Sequence, residues 1–415
     1  MRSNQGCAGI DGINIKELEP IFGEQWRLVA DALQSGTYQP QAMKRVRIPK
    51  PSGSERLLAI PCVMDRVVQQ ASAQVFSTLW EQRFSDSSYG YRRGYGTCDA
   101  VEAATINIAA GYECVLHLDI ENFFDSVPHE VAISAIAEDV ADPLLMHLVQ
   151  QTLRCCVYED GLARPVTCGL AQGSPLSPVL ANVVLHHLDV ALESTKCPFV
   201  RYADDCVVFL HNQEEGVVIH DLISRVLAPL GLSLNANKTK LTLFNDARFL
   251  GFTFLKDARG KIVRRVSPES LLEIESACMI LIESSPVGSA ATDLADHLRG
   301  WLAYYYSAGD EDLLRAMLDR VITKWRNQNQ TINTPGCLDF NALRPQSGKH
   351  SRNTDYSGHL HEDIPSPVDW LVTARCFLLR ALQSRWWHLE YDIQPGRHPL
   401  NVRLCLGRHR INLRF

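Results

Sequence analysis

The sequence of 415 residues lacks the features of several protein classes. No apolar run is long enough to cross a bilayer, and no charged-then-apolar signal stands at the N-terminus. We therefore expect a cytoplasmic protein that has no membrane partner. The 13 cysteines are scattered, with no C-x-x-C pair and no Cys/His ladder, so neither a zinc site nor a disulfide framework is expected.

An excess of positive charge is also missing. The chain carries 41 Lys and Arg against 47 Asp and Glu, a net charge of −6 at pH 7, which argues against a protein that merely coats nucleic acid. The cations are unevenly distributed, however. Five of them lie within residues 44–56, and no acidic residue follows Asp392. We expect local basic patches on an acidic body.

Two adjacent aspartates interrupt an apolar stretch that is typical of β-strands. Asp204 and Asp205 lie in F-V-R-Y-A-D-D-C-V-V-F-L at residues 199–210, whose flanks predict two short strands with the aspartates at the turn between them. Neighbouring carboxylates repel each other, so a fold that exposes them together usually provides a cation. An acidic hairpin turn gives the same pattern, and this stretch alone leaves both interpretations open.

Asp119 stands at the end of another predicted strand. The run C-V-L-H-L-D at residues 114–119 is largely apolar up to its aspartate and then leads into a helix. A carboxylate at the end of a strand can hold a metal ion. Taken alone, however, Asp119 is more often a structural residue, and Asn122 or Asp125 can cap the helix that follows.

Two further segments carry groups that suit a nucleotide. Residues 46–61 predict a β-hairpin in which Lys50 and Arg56 lie close enough to grip one polyanion, although such cations are more often solvated surface. Ser174 is predicted to cap a helix whose start, beside Gln172, offers free backbone N–H groups. A capped helix needs no ligand, so this second segment is ambiguous alone as well.

The loop at residues 84–94 mixes aromatic side chains with the cations Arg92 and Arg93. This composition suits stacking on bases and pairing with phosphates. A plain surface loop has the same composition, so the loop by itself does not predict nucleic-acid binding.

The last third of the chain changes character. Residues 267–328 have helical periodicity, which predicts a separate helical unit with Leu272 and Ile280 among its core residues. Residues 329–365 are polar and rich in turn formers, as in a linker. Residues 367–415 predict a helix followed by a basic tail of strands.

The order of these motifs closely resembles the reverse transcriptases of bacterial group II introns and their stand-alone relatives. The resemblance covers about residues 6–330. It rests on the stretches G-I-D-G (9–12), P-K-P-S-G (49–53), I-P (60–61) through D-R-V-V-Q-Q (65–70), S-Y-G-Y-R (88–92), residues 119–125, Q-G-S-P-L-S-P (172–178) and R-Y-A-D-D (201–205).

The resemblance implies an α+β fold, the right-hand polymerase with fingers, a palm built on an antiparallel sheet, and a helical thumb. It places the fingers and palm in residues 1–262 and the thumb in residues 263–330. Residues 331–415 form a C-terminal extension with a basic tail, and this extension does not obviously match the family pattern.

The resemblance also implies a metal centre. Asp119, Asp204 and Asp205, together with the backbone carbonyl of Ile120, match the ligands of two Mg²⁺ ions, which Mn²⁺ can replace. Lys238 matches a lysine that serves the leaving group. Hard oxygen ligands that leave room for substrate oxygens suit magnesium chemically.

The nucleotide and nucleic-acid contacts are implied in the same way. Lys50 and Arg56 match the residues that bind the triphosphate, and Gln172 matches the residue beside the incoming nucleotide. Phe124 matches the aromatic residue that lies under the sugar and blocks a 2′-hydroxyl. Three further residues are expected to contact nucleic acid: Arg92, Arg93 and Tyr202.

We therefore expect an RNA-directed DNA polymerase that makes cDNA from dNTPs on an RNA template. Because no Cys/His nuclease module follows the expected thumb, we favour a stand-alone enzyme that copies a structured non-coding RNA in antiviral (phage) defence. One alternative is an intron-encoded maturase that aids splicing and mobility. Another is an RNA-binding protein with a vestigial catalytic centre. The sequence leaves oligomer formation open.

Overall fold

The computed structural model describes residues 6–49, 55–284, 290–305, 308, 311–328, 388–392, 401–406 and 409–414. Lys50, the linker predicted at 329–365 and the helix predicted after residue 367 lie outside the described residues. Helices and mainly antiparallel sheets make up the fold, which is α+β as expected. Among the described helices, none combines the length and the apolar character that crossing a membrane requires.

The helices in the described part of the chain are α1 (Ile15–Ser35), α2 (Val63–Trp80), α3 (Thr97–Ala109), α4 (Phe123–Ser126), α5 (His129–Ala137), α6 (Pro143–Leu153), α7 (Ser177–Thr195), α8 (Gln213–Leu227), α9 (Pro268–Ser284), α10 (Ala290–Tyr305) and α11 (Glu311–Gln328). The strands are β1 (Met43–Pro49), β2 (Glu55–Ile60), β3 (Cys114–Leu118), β4 (Val157–Glu159), β5 (Leu162–Arg164), β6 (Phe199–Tyr202), β7 (Asp205–Leu210), β8 (Lys240–Leu243), β9 (Arg248–Phe249), β10 (Phe252–Lys256), β11 (Ile262–Val266), β12 (His388–Asp392), β13 (Asn401–Leu406) and β14 (His409–Arg414).

The central sheet has the strand order β6-β7-β3-β8, and its paired strands are all antiparallel. Side chains alternate between the two faces of a strand, and both faces of β3 are buried. Leu116 and Leu118 pack into a core with α2, α5 and α7, whereas Val115 packs with α3 and the helices after residue 268. Burial on both faces explains why β3 is a nearly continuous apolar run.

A second sheet has the strand order β2-β1-β4-β5 and combines strands from two parts of the chain, residues 43–60 and 157–164. The predicted hairpin is confirmed, because β1 and β2 pair antiparallel with Ile48 opposite Arg56. This sheet is tied to the segment before α7. The Ala59 N–H donates to the carbonyl of Gln172 at 2.8 Å, and a Cβ on Gly173 would lie 2.6 Å from the Ala59 oxygen. Only glycine permits this approach.

The predicted start of α7 is wrong. Ser174 does not cap the helix, which begins at Ser177 after Leu176. The Ser174 hydroxyl instead accepts from the Leu176 N–H at 3.2 Å, and Gly173 before it has φ +128°. The glycine makes a turn, and the helix begins only after it, at Ser177.

The helices predicted within residues 267–328 are confirmed by α9, α10 and α11, but part of their predicted core is wrong. Leu272 and Ile280 are each 64% exposed. The buried face of α9 is formed by residues spaced four apart, which include Ile274 and Cys278. Leu272 and Ile280 lie off that face. The strands predicted in the basic tail are confirmed by β13 and β14.

The buried His129 and the half-buried His186 make the fold sensitive to acid. The His129 Nε2 pairs with the carbonyl of Gly169 at 3.0 Å, and burial lowers the pKa of His129 and of His186. The unfolded chain takes up these protons near the ordinary pKa of about 6.5, before the folded chain does. The contribution of these two histidines to stability is therefore complete above about pH 6.5 and declines as the pH falls towards their folded pKa values.

The variant His129→Gln is expected to weaken this pH dependence, because Gln can still donate to Gly169 but does not titrate. Urea unfolding of the wild type and the variant at about pH 7.5, 6.5 and 5.5 measures the slope. The variant should lose less stability on acidification than the wild type. Equal slopes would show that His129 does not carry the effect.

Candidate active site

The adjacent aspartates lie at the hairpin between β6 and β7, as predicted. Tyr202 pairs with Asp205, and Ala203 and Asp204 form the two-residue turn between them. Ala203 has φ +60°, the sign that the first central residue of a type II′ hairpin turn requires. The turn therefore presents the two aspartates at one end of the central sheet.

Asp119 follows β3 directly, and a neighbouring segment fixes its backbone. Its carbonyl accepts from the Asn235 N–H at 2.8 Å, and Ile120 bridges antiparallel to Leu234. The same segment carries Lys238, whose Nζ lies 3.5 Å from the Asp119 Oδ2. A cation is thus aligned with the strand-end carboxylate by backbone pairing.

His117 completes this group, and the sequence analysis missed it. Its Nε2 lies 2.7 Å from the Asp205 Oδ1. His117 stands opposite Val207 in the sheet register, so Asp205 is its diagonal neighbour on the same face. The signal was present in the sequence. His117 is the polar residue in the otherwise apolar β3, and because it stands two positions before Asp119 it lies on the same face of the strand.

The carboxylates act on one another electrostatically. Burial raises the pKa of Asp204, and the charges of Asp205 and Asp119 raise it further, while Arg56 lowers it. For His117, burial lowers the pKa, but the hydrogen bond to Asp205 and the charges of Asp205 and Asp119 outweigh it, so the pKa is raised. Negative charge is concentrated at this end of the sheet beyond what the neighbouring cations offset.

This arrangement fits a divalent cation that also binds substrate. Within the described ranges, no three His, Cys, Asp or Glu side chains are gathered closely enough to enclose a metal ion. Asp205 is turned to His117 and Asp119 to Lys238. Carboxylates in mutual reach without a closed cage suit Mg²⁺, which keeps water and substrate oxygens among its ligands.

A buried ion pair holds the turn in place. Arg201 donates from Nε and Nη2 to the two oxygens of Asp189 in α7, at 2.6 and 2.5 Å, and both side chains are fully buried. The Arg201 Nη1 donates at 2.9 Å to the Asn182 Oδ1 and at 2.9 Å to the carbonyl of Ala203. The guanidinium therefore joins α7 to the residue just before Asp204. Sequence reasoning did not find this group.

The expected nucleotide residues flank the carboxylates. Phe124 is half-buried in α4 and meets Phe123 edge-on, with ring centroids 5.5 Å apart. The Gln172 Nε2 lies 3.5 Å from the Asp125 Oδ2. Arg56 is exposed on β2 and lies within electrostatic reach of Asp204. The structure thus places Gln172 beside Asp125, the neighbour of Phe124 in the chain, and Arg56 near Asp204.

Comparison with known proteins bears directly on this site. Residues 48–254 match the family described as reverse transcriptase (RNA-dependent DNA polymerase). The chain is 29% identical over 286 residues to protein YkfC of Escherichia coli (strain K12), an alignment that covers 60% of this chain and 74% of YkfC. It is 27% identical over 242 residues to the group II intron-encoded protein LtrA of Lactococcus lactis subsp. cremoris, covering 58% and 39%. The chain is a group II intron-like reverse transcriptase.

A further relative supports the same enzyme class. The chain is 24% identical over 208 residues to the retron Ec86 reverse transcriptase of Escherichia coli, an alignment that covers 49% of this chain and 58% of the retron protein. The family match contains every nucleotide and metal residue predicted above, from Lys50 to Lys238. The reverse transcriptase is thus an RNA-directed DNA polymerase. It spans well under half of the intron-encoded LtrA.

The loop of this reverse transcriptase that carries Arg92 and Arg93 differs from expectation. Arg92 is buried rather than free to contact nucleic acid. Its guanidinium donates to the carbonyls of Ser85 and Ser88 and to Glu81, and it lies over the ring of Tyr95. Arg92 therefore fixes the shape of the loop. Arg93 is exposed, and its contact with nucleic acid stays a prediction, as does that of the half-buried Tyr202.

Proposed function

We propose that this reverse transcriptase synthesises DNA on RNA at the end of the central sheet, with Asp119, Asp204 and Asp205 as its catalytic carboxylates. One observation carries the proposal. Two separate parts of the chain deliver three carboxylates to one sheet end, where Lys238 contacts Asp119 and Arg56 acts on Asp204. Such a group offers sites for a metal-bound primer end and for a triphosphate.

In this proposal the fold is a right hand. The central sheet with α5, α7 and α8 is the palm, the sheet of β1, β2, β4 and β5 belongs to the fingers, and α9, α10 and α11 are the thumb. The boundaries proposed from sequence place the fingers and palm together in residues 1–262, the thumb in residues 263–330 and the C-terminal extension in residues 331–415. The hydrogen bond between the Ala59 N–H and the Gln172 carbonyl supports a fingers sheet that is connected directly to the proposed nucleotide site.

The residues that would hold Mg²⁺ are the three aspartates and the backbone carbonyl of Ile120. When bound, two Mg²⁺ ions supply charge neutralisation for an in-line displacement at the nucleotide α-phosphate. Lys238 is placed to donate a proton to the leaving pyrophosphate after it parts from Asp119. Arg56, with Lys50, pairs with the triphosphate, for which a fixed guanidinium charge is suited.

Phe124 is proposed to select the sugar. Its ring is pinned edge-on by Phe123, and the Leu170 N–H donates to its backbone carbonyl at 2.5 Å. A rigid ring under the ribose leaves no volume for a 2′-hydroxyl. Deoxynucleotides are therefore accepted and ribonucleotides refused, which makes the product DNA.

The variant Phe124→Ala is expected to incorporate ribonucleotides at least ~10-fold better relative to deoxynucleotides than the wild type, since a removed steric contact is worth about 1–3 kcal/mol in specificity. The ratio of kcat/KM for a matched rNTP and dNTP measures this change. Phe254→Leu, at a buried phenylalanine of β10 that packs in the other core, is the control. An unchanged ratio in Phe124→Ala would remove the sugar-selecting role.

The activity itself is tested by template and nucleotide choice. A DNA primer annealed to an RNA template is offered dNTPs or rNTPs with Mg²⁺. We expect extension with dNTPs only. Extension with rNTPs alone would make the enzyme an RNA-directed RNA polymerase. A protein that binds RNA but extends no primer would favour a vestigial catalytic centre.

We further propose that the natural template is a dedicated structured non-coding RNA, copied in antiviral defence. This choice extends the expectation from sequence, and a retron reverse transcriptase is among the relatives of the chain. Sequencing the RNA that copurifies with the chain, and the DNA made from it, tests it. One recurrent non-coding RNA is the expected result, whereas a group II intron would make the chain a maturase.

A further inference from the structure

The loop that carries Arg92 is fixed on both sides of Tyr91. A Cβ on Gly90 would lie 2.2 Å from the backbone nitrogen of Ala203, and the Gly90 carbonyl accepts from the Asn182 Nδ2 at 2.8 Å. On the other side, Arg92 is buried among carbonyls and Glu81. Tyr91 therefore stands on a rigid base beside the catalytic turn.

The backbone of Tyr91 is strained. Its φ is +59°, in the left-handed region that non-glycine residues rarely occupy. Six non-glycine residues of the described chain have positive φ. Ala203 lies in the turn beside Asp204 and Asn122 precedes α4, whereas Lys196 ends a helix and Asp160 and Leu250 lie in turns between strands. Strain of this kind persists where function requires a particular geometry.

The side chain of Tyr91 has no packing role that explains this strain. It is 49% exposed, although both neighbours in the loop are buried. Its pKa is raised by burial of the hydroxyl end and then by the charge of Asp204, while Arg56 lowers it. The hydroxyl thus lies within electrostatic reach of Asp204 and Arg56, and about half of the side chain is exposed beside the turn that Gly90 contacts.

We propose that Tyr91 positions the template–primer duplex by packing its exposed ring against a nucleotide next to the catalytic aspartates. The proposal rests on the function proposed above. A neutral phenol offers no charge to a triphosphate, and Arg56 is present for that role. Every nucleotide base has a flat face, however, on which an aromatic ring can stack. Tyr91 is a positioning residue for the nucleic acid, and Arg92 serves it by holding the loop.

The test measures duplex binding without catalysis. Fluorescence anisotropy of a labelled DNA primer on an RNA template, in the absence of dNTPs and divalent metal, gives the Kd. We expect Tyr91→Gly to weaken binding roughly 10- to 100-fold and Tyr91→Phe to stay within about threefold of the wild type, because the ring is what stacks. Lys196→Gly, which changes a left-handed residue at the end of α7 and leaves the cleft intact, should bind like the wild type.

Thermal unfolding separates positioning from folding. Glycine relieves the left-handed strain at both positions, so Tyr91→Gly and Lys196→Gly should keep or raise the Tm. Steady-state kinetics should show a higher KM for template–primer in Tyr91→Gly and an unchanged KM for dNTP. An unchanged Kd, a Tm that falls only in Tyr91→Gly, or a Tyr91→Phe as weak as Tyr91→Gly would each overturn the proposal. If the wild type extends no primer, the proposed function fails while the anisotropy result still decides the role of Tyr91.

Discussion

Asp204→Asn is expected to slow RNA-templated primer extension by on the order of 10³-fold and, at the same time, to raise the Tm by about 2–4 °C. The loss of rate follows because an amide does not carry the charge that holds a divalent cation. The gain in stability follows because burial and the charges of Asp205 and Asp119 all disfavour an ionised Asp204. Single-turnover extension and thermal unfolding measure the two effects separately.

Asp221→Asn is a matched control, because Asp221 is an exposed aspartate of α8 outside the cleft. It should change neither the rate nor the Tm. A slower Asp204→Asn enzyme that is also less stable would show that Asp204 serves the fold. Opposite signs in rate and stability are the signature of a residue retained for catalysis.

Arg201→Met is expected to destabilise the fold by roughly 3–5 kcal/mol, since it leaves Asp189 charged and unpaired in the core. It also removes the donor to the Ala203 carbonyl that steadies the catalytic turn. Denaturant unfolding measures the loss of stability. Extension by the fraction that stays folded at low temperature should be slower than that of the wild type, because the turn is released.

The double variant Arg201→Met/Asp189→Leu separates these two consequences. Replacing both charges removes the unpaired carboxylate, so most of the lost stability should return. The rate of extension should stay low, because no guanidinium reaches Ala203. A double variant that regains both stability and rate would show that the pair acts only as packing.

The positions of the three carboxylates at a strand end and a hairpin turn could be predicted because their signals are local. An apolar run that ends in an aspartate, and two short strands around an Asp pair, each specify strand and turn within a dozen residues. The neighbours of these carboxylates required the register of the sheet. His117 meets Asp205 only because β3 and β7 pair with Val207 opposite His117, and no sequence spacing contains that information.

The main failure of the prediction from sequence was that it did not identify which charged side chains are buried. Arg92 has the composition of a surface loop around it, yet its side chain is enclosed by carbonyls of its own loop. Asp189 occupies a polar position in a helix that looks amphipathic, and its burial follows from a single partner, Arg201. Whether a charged side chain faces water or a counter-charge is decided by tertiary contacts, which sequence periodicity does not report.

The location of the polymerase centre is tested most directly by single-turnover extension of one DNA primer on one RNA template, with dNTPs and Mg²⁺. The wild type is compared with Asp119→Asn and Asp205→Asn at equal folded concentration. The wild type should extend the primer, and both variants should be slower by on the order of 10³-fold, because each loses a carboxylate at the end of the central sheet. Extension by either variant at the wild-type rate would contradict a catalytic centre at that place.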